Sequence, residues 1–293
     1  MTPILLALLV LLILLYVFQS FFCKLYTTVC KVTKTATPVF NAIFGGVIGL
    51  VTLVTYGFQF KPSPLTWLFA LANAVILFIY NTSLIGAAKR GSYAFLNICM
   101  LFGGILVPMF ISLATGVSFT LKQLIAIAIM LISFVVINSK GISLKGSQGA
   151  YFLYCGLLFL TNGLYGAVMD GQQLKMNGAE RGEMIIISYL GTTLLSLLYI
   201  LVTQRKEFIP SFKIGWKALF FALGSGAVAV AAVNLLMYLL SQIQPATLLY
   251  TMDNGGLLIL AALFAAVFLK EKIRLHQAIG YTLSLISIIM LSL

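Results

Sequence analysis

Residues 3–22, PILLALLVLLILLYVFQSFF, form an uninterrupted apolar run, and runs of this kind decide the fold class. A helix needs about 20 mainly apolar residues to cross the hydrocarbon core of a bilayer. The run is continuous rather than alternating, which favours a helix over a strand, because open sheet edges are not tolerated in lipid. No basic residue precedes Lys24, so we expect a spanning helix that is kept rather than a cleaved signal peptide.

Nine further runs of the same kind follow, so we predict an all-α membrane protein with ten transmembrane helices. The chain has 293 residues, of which 61% are hydrophobic and 8% charged. A soluble domain carries about 25% charged residues, so water cannot cover most of this surface. The predicted spans are Pro3–Phe22, Pro38–Tyr56, Leu65–Ala87, Ser92–Leu113, Leu121–Ile137, Tyr151–Met169, Met184–Val202, Trp216–Leu240, Pro245–Leu269 and Leu275–Leu293.

The strong positive charge, +12 overall, follows the loops between these runs. Most of the 18 Lys and Arg residues lie in the odd-numbered loops, those that join helices 1–2, 3–4, 5–6, 7–8 and 9–10. Positively charged loops stay in the cytoplasm, so both termini are predicted on the opposite side of the membrane. No basic stretch is long enough for a nucleic-acid interface, so we expect no nucleic-acid partner.

The sequence contains no motif that indicates a metal, cofactor or nucleotide site. The four cysteines contain no CxxC pair, and His276 is the single histidine. No GxxxxGK[ST] motif for nucleotide phosphates is present. The six acidic residues are mostly scattered, unlike the clusters of an active site. We therefore expect a protein that is not an enzyme, with no catalytic residues, metal or cofactor.

The two halves of the chain resemble each other. Ala70-Leu71 matches Ala222-Leu223 and Gly103-Gly104 matches Gly255-Gly256, both 152 residues apart; Leu121-Lys122-Gln123 matches Leu275-His276-Gln277 after a two-residue shift. We predict a first five-helix repeat over 1–138, a polar linker over 139–149 and a second repeat over 150–293. Because five is odd, the second repeat must be inverted in the membrane, which is a recurring arrangement in transporters.

The end of the chain carries a family resemblance. From Pro245 it reads PATLLY, then AAVFLKEKIRLHQAIGYTLSLISI, with an acidic turn at Glu271 and a Gln-x-x-Gly at the start of the last helix. This pattern, its partial echo at Gly116–Gln123 and the five-plus-five repeat resemble the drug/metabolite transporter superfamily, in its EamA-like ten-helix branch. The resemblance implies transport of a small molecule. It also implies cytoplasmic termini, in conflict with the loop charges, to which we give more weight.

Asp253 is the candidate for the functional centre, because it is the only carboxylate deep inside any predicted span. Placing an ionisable group inside a membrane costs free energy, so such a residue is first considered as a functional one. The side chain could bind a proton, a coupling cation or a substrate amine. Alternatively it is a structural partner for another helix or for Lys24 at the end of helix 1. Lys24 could equally extend to the membrane surface.

Amide, hydroxyl and aromatic side chains within the spans form a second candidate set. They suit a polar site, and they equally suit hydrogen bonds that hold helices together. Asn73 and Ser225 occupy matched positions in the two repeats. The remaining members of this set are Gln19, Tyr80, Asn81, Asn162, Asn234, Tyr250 and Asn254.

These observations lead to one hypothesis with two alternatives. We expect a secondary active transporter of an amino acid, amine or related small polar metabolite, driven by a proton or monovalent cation gradient, which alternates access between its inverted repeats. The bilayer is its other partner, and the family points to a bacterial inner membrane. The alternatives are a non-transporting scaffold or channel subunit, and a polytopic lipid-modifying enzyme.

Overall fold

The computed structural model describes residues 2–29, 35–88, 90–91, 93–141, 149–268 and 273–292. Within these residues ten helices are long and apolar enough to cross a membrane, which confirms the predicted number. Short helical turns at Ser139–Gly141, Arg205–Glu207 and Phe208–Ser211 accompany them. The ten long helices are α1 (Pro3–Val29), α2 (Ala36–Thr55), α3 (Pro64–Ala88), α4 (Tyr93–Ala114), α5 (Leu121–Asn138), α6 (Gly149–Lys175), α7 (Arg181–Thr203), α8 (Trp216–Gln242), α9 (Ala246–Phe268) and α10 (Leu275–Ser292).

Two helices extend well beyond the predicted spans. α1 continues to Val29 and α6 to Lys175, whereas hydropathy placed their ends at Phe22 and Met169. In α6 the extra turns include Gln172 and Gln173, whose side chains are buried. Their amides form hydrogen bonds inside the protein, so the helix continues past the point where its sequence stops being apolar.

Large apolar side chains cover the outer faces of the helices. Leu68, Val202 and Trp216 are each more than two-thirds exposed, and many other Leu, Val, Ile and Phe side chains are also exposed. Soluble monomers rarely expose continuous apolar surface of this extent. The surface therefore fits a lipid environment.

The chain forms two compact units, each assembled from separate stretches of sequence. Unit 1 comprises Met1–Val17, Ser83–Ala167 and Leu239–Leu293. Unit 2 comprises Phe18–Thr82 and Val168–Tyr238. The predicted repeats 1–138 and 150–293 rest on sequence similarity between the two halves, which these units do not test, so they stay a prediction. Most of the predicted linker lies outside the described residues.

In unit 1, α5 and α10 pack as an antiparallel pair held by serines. The Ser133 and Ser284 hydroxyls lie 2.7 Å apart, and Ser287 donates to the Ala126 carbonyl at 2.7 Å. The residue numbers rise along α5 as they fall along α10, so the two helices run in opposite directions.

Two further pairs in unit 1 involve α6. Gly103 on α4 lies against Phe159, and Val107 lies against Gly163, so α4 and α6 are parallel. α9 runs antiparallel to α6, because Tyr250 contacts Gly166, whereas Asn254, further along α9, and Asn162, earlier on α6, both lie beside Gly104.

In unit 2, α7 packs against both α2 and α3. Gly49 on α2 contacts Leu190, and Thr193 donates to the Ala42 carbonyl at 3.2 Å, so α2 and α7 are antiparallel. Ser188 and Thr192 donate to the Ala70 and Ala74 carbonyls of α3, each at 3.3 Å, so α3 and α7 are parallel.

The helix directions follow one rule in both units. In the pairs described above, pairs whose numbers are both odd or both even run parallel, and mixed pairs run antiparallel. If each helix crosses the same layer and the next helix returns through it, the direction of the helices must alternate along the chain. Both α2 with α7 and α5 with α10 are antiparallel pairs of counterparts, meaning helices of the same rank in the two predicted repeats.

The matched triplets also start their helices in the same way. The Gln123 side chain accepts a hydrogen bond from the Thr120 backbone N–H at 2.9 Å, and Gln277 accepts one from the Arg274 N–H at 2.9 Å. At the start of α5, Thr120 completes a reciprocal capping box. The Leu-x-Gln similarity thus has a structural meaning, because each glutamine satisfies an N–H group that the first helical turn leaves free.

Candidate functional site

Helix α9 occupies the interior of unit 1 and presents a different neighbour on each of its faces. The Tyr250 hydroxyl donates to the Gly166 carbonyl of α6 at 3.1 Å. Gly255 lies against the Met130 side chain of α5, and Gly256 lies against Ile13 of α1. Since three neighbouring helices contact α9 within two turns, its central side chains are withdrawn from the surroundings of the protein.

Asp253 lies in the middle of this interior stretch. Its side chain is 8% exposed, and within the described residues its Oδ1 atom is buried without a hydrogen-bond partner. A buried polar atom without a partner is costly, and an unpaired carboxylate is the most costly kind. The arrangement is therefore destabilising unless the carboxylate binds a proton, a cation or a cationic ligand.

Two predicted amides approach each other beside Gly104 of α4. A Cβ atom placed on Gly104 would lie 2.6 Å from Asn162 Nδ2 and 3.2 Å from Asn254 Nδ2. Asn162 also donates to the Met100 carbonyl at 2.8 Å. The missing side chain at Gly104 thus leaves room for two amides from α6 and α9.

The other predicted residues lie in unit 2, where neighbouring helices already engage several of them. Asn73 donates to the Ser188 hydroxyl at 3.2 Å, and its Oδ1 atom is buried without a partner in the described chain. Ser225 donates to the Gln19 backbone carbonyl at 3.3 Å, and Gln19 Oε1 is likewise unpartnered among the residues described. Because their bonds join helix to helix, Asn73 and Ser225 fit the alternative of structural hydrogen bonds.

Four predicted residues gain little support. Asn234 donates to the Val230 carbonyl of its own helix at 2.8 Å. Tyr80 and Asn81 are half-buried on α3. Lys24 belongs to α1, but its side chain lies outside the described residues.

Sequence reasoning did not foresee a polar network that joins the start of α3 to the turn between α6 and α7. Glu180 Oε2 accepts hydrogen bonds from both the backbone N–H and the hydroxyl of Ser63, each at 2.9 Å. Gln172 donates to the Thr66 hydroxyl at 3.2 Å, and Arg181 donates to Gln173 at 3.0 Å. Glu180 thereby links the start of α3 to the turn before α7 within unit 2.

An open cleft of about 550 Å³ adjoins this network. Its lining carries both signs of charge, and most of it comes from the turns that follow α2 and α6. The lining residues are Tyr56, Gln59, Lys61, Gly178, Glu180, Arg181 and Glu183. The mixed charges suit a water-filled surface, and the hydrogen bonds of Glu180 give that residue a structural role there.

Glu180 should stabilise the protein in a pH-dependent way. Partial burial opposes its ionisation, but hydrogen bonds from Thr66 and Ser63 outweigh burial and hold the pKa of Glu180 below its ordinary value. A depressed pKa contributes stability at neutral pH, and this contribution is lost as the pH falls through the folded-state value. We expect Glu180→Gln to lower stability by about 1 kcal/mol at neutral pH, since the group is partly exposed.

Thermal unfolding of the detergent-solubilised protein, measured by intrinsic fluorescence across a pH series, checks this expectation. The difference in melting temperature between wild type and Glu180→Gln should shrink in acid. Glu183→Gln, which changes a neighbouring carboxylate of the same cleft, is the matched control and should show the smaller difference. A difference that persists in acid, or an equal effect at Glu183, would contradict the assignment.

Comparison with known proteins gives a fold relationship and no family. No family model and no curated protein matches the chain. Solved structures do match, among them one described only as "Crystal structure of protein", with a TM-score of 0.74 and 17% sequence identity. That match covers 99% of this chain and 96% of the other. At this identity the similarity establishes a shared fold over nearly the whole length and nothing about function.

Proposed function

We propose that this protein is a secondary active transporter of a small polar metabolite, in the manner of the ten-helix drug/metabolite transporters that its sequence resembles. The observation that carries the proposal is Asp253, a carboxylate in the interior of α9 with an unpartnered oxygen among the described residues. Purely structural burial of such a group in a bundle of apolar helices would lower stability without benefit. A reversible occupant, present in some states and absent in others, explains why the charge is retained.

The chemistry around Asp253 favours a cationic or protonated occupant. The carboxylate can bind a proton, a monovalent cation or the ammonium group of an amino acid or amine. Asn254 adjoins it in sequence, and Asn162 contacts the same Gly104 as Asn254, so amide groups are available for the polar part of a substrate. Tyr250, one turn earlier on α9, is held by Gly166 and adds an aromatic ring with a hydroxyl group.

Inverted repeats in a bilayer are part of the same proposal. Counterpart helices α2 and α7, and likewise α5 and α10, are antiparallel, as inversion requires. Unit 1 alone contains the whole of α4, α5, α9 and α10, which are two counterpart pairs, and unit 2 contains the whole of the pair α2 and α7. These features support transport by movement of one repeat against the other, in a bacterial plasma membrane with the positive loops in the cytoplasm.

Two measurements in sequence test this function. A thermal-shift screen of the detergent-purified protein against amino acids, amines and related metabolites should yield at least one stabilising compound, since a ligand that binds the folded state raises its stability. That compound should then enter proteoliposomes faster when a proton or sodium gradient is imposed. A scaffold predicts no stabilising compound. A channel predicts uptake that follows the membrane potential and the concentration difference of the compound itself, with no further acceleration by the proton or sodium gradient.

A further inference from the structure

Helices α4 and α6 cross in close contact at two glycines, Gly103 and Gly163. A Cβ atom on Gly103 would overlap the carbonyl oxygen of Phe159, and one on Gly163 would overlap Val107 and the Gly103 carbonyl. Such an approach of two backbones is possible only where both helices lack side chains. Residues one turn before this crossing must therefore also lie close together across the pair.

Cys99 and Cys155 occupy that position. They are 56 positions apart, the offset at which Gly103 of α4 meets Phe159 of α6 and Val107 meets Gly163, so the same register places them opposite each other. One further turn back, the rings of Phe95 and Tyr151 lie 6.2 Å apart between centroids and keep the same offset. Both cysteines are free in the structure, so two thiols from different helices face each other in unit 1.

We propose that Cys99 and Cys155 are a reversible modification site, which closes to a disulfide in the presence of hydrogen peroxide and then fastens α4 to α6. A disulfide requires close Cα atoms and Cβ atoms that point towards each other. The Gly103–Phe159 contact lies one turn away on the same two parallel helices, so it brings the backbones that carry Cys99 and Cys155 close together. The functional hypothesis for Asp253 does not enter this inference.

The two thiols differ in access, which sets the order of the reaction. Cys155 is 2% exposed, whereas Cys99 is partly exposed. The Cys99 sulfur attacks one oxygen of hydrogen peroxide, the O–O bond breaks, and the departing hydroxide takes the thiol proton as water. The Cys155 sulfur then attacks the resulting sulfenic acid on Cys99; the S–S bond forms, the S–O bond breaks, and the second hydroxide leaves as water with the Cys155 proton.

The position of the pair suits an intracellular sensor. Both cysteines lie six residues after the first residue of their helices, close to the loops that join helices 3–4 and 5–6. These loops carry Lys89, Arg90, Lys140 and Lys145, and the charge distribution predicts them in the cytoplasm. Disulfides in the cytoplasm are mostly transient and redox-sensing, so the pair is expected to be reduced at rest and oxidised under peroxide stress.

Peptide mapping of the full-length protein in detergent tests the inference. Other thiols are removed by the double substitution Cys23→Ser, Cys30→Ser, and the wild type is run in parallel in case that background fails to fold. Titration with hydrogen peroxide should give a Cys99–Cys155 cross-linked peptide, with loss of two hydrogens from the intact mass, and dithiothreitol should restore both thiols.

Single variants on that background identify the role of each sulfur. With Cys155→Ser, the oxidised Cys99 should persist as a sulfenic acid that dimedone traps, and no internal cross-link should form. With Cys99→Ser, the buried Cys155 should resist the same peroxide concentration. Oxidation that proceeds to sulfinic acid on Cys99 in the wild type without a cross-link to Cys155 would overturn the proposal, as would a Cys99–Cys155 pair that stays reduced while Cys23 is oxidised.

Discussion

Replacing Asp253 with asparagine is expected to lower gradient-driven uptake by about two orders of magnitude, because a charged hydrogen-bond partner is worth about 1.5–3 kcal/mol and 1.4 kcal/mol is a factor of ten. Asparagine has nearly the same shape but no negative charge, so it cannot hold a proton, a cation or an ammonium group. The measurement is uptake in proteoliposomes of the compound that the thermal-shift screen identifies, with and without the imposed gradient.

The same substitution should leave the folded protein at least as stable as the wild type. Asp253 Oδ1 has no hydrogen-bond partner among the described residues, so asparagine breaks no bond to that atom. A neutral amide also costs less to bury than a carboxylate. If uptake falls while the melting temperature is unchanged or higher, the carboxylate serves function and lowers stability.

Thr247→Val provides the matched control on the same helix. Its hydroxyl is also buried and unpartnered within the described residues, but it carries no charge. Valine preserves the branched shape, and uptake should stay within about twofold of wild type, since the hydroxyl makes no bond that the change would break. Unchanged gradient-driven uptake with Asp253→Asn would refute the role of the carboxylate. Loss of both stability and uptake would instead mark Asp253 as a structural residue.

The number of helices could be predicted from the sequence because lipid imposes one strong constraint. Each backbone polar group must be bonded within its own segment, so every long apolar run becomes a helix. Of the two large boundary errors, at the ends of α1 and α6, the one in α6 has an origin that the structure shows. Hydropathy marks where a segment becomes polar, but Gln172 and Gln173 remain helical and buried because Thr66 and Arg181 bond them.

Partners of polar side chains could not be predicted, because they depend on which helices become neighbours. Matched positions in the repeats suggested a shared role for Asn73 and Ser225. In the structure Asn73 bonds Ser188 on α7, whereas Ser225 bonds the Gln19 backbone on α1. Unit 2 thus gives these two residues different surroundings despite their equivalent places in the sequence.

Asp253 could be identified from the sequence for the same reason that it stands out in the structure, namely the cost of burying its charge. A single carboxylate inside an apolar run stands out whatever its neighbours are, since the penalty of burial is intrinsic to the charge. The thiol pair gave no such signal, because Cys99 and Cys155 are 56 residues apart and behave as small apolar residues within their own runs. Only the glycine crossing brings them together.

That crossing carries the second large prediction: Gly103→Ala should destabilise the protein by about 3 kcal/mol, at the upper end of the usual penalty for overpacking. The new methyl group would overlap the Phe159 carbonyl oxygen, which belongs to the backbone of α6 and cannot rotate away. The two helices must therefore separate. Thermal unfolding in detergent, together with size-exclusion chromatography to detect aggregation, measures the effect.

Gly156→Ala is the matched control, because Gly156 lies on the same α6 but its added methyl group would meet nothing within 4 Å. Alanine is a better helix former than glycine by about 1 kcal/mol, so this variant should be unchanged or slightly stabilised. Separation of α4 from α6 should also weaken the Asn162 bond to Met100 and move Cys99 away from Cys155, so Gly103→Ala should form the peroxide cross-link more slowly. Equal melting temperatures for Gly103→Ala and Gly156→Ala would show that the helices do not cross at Gly103.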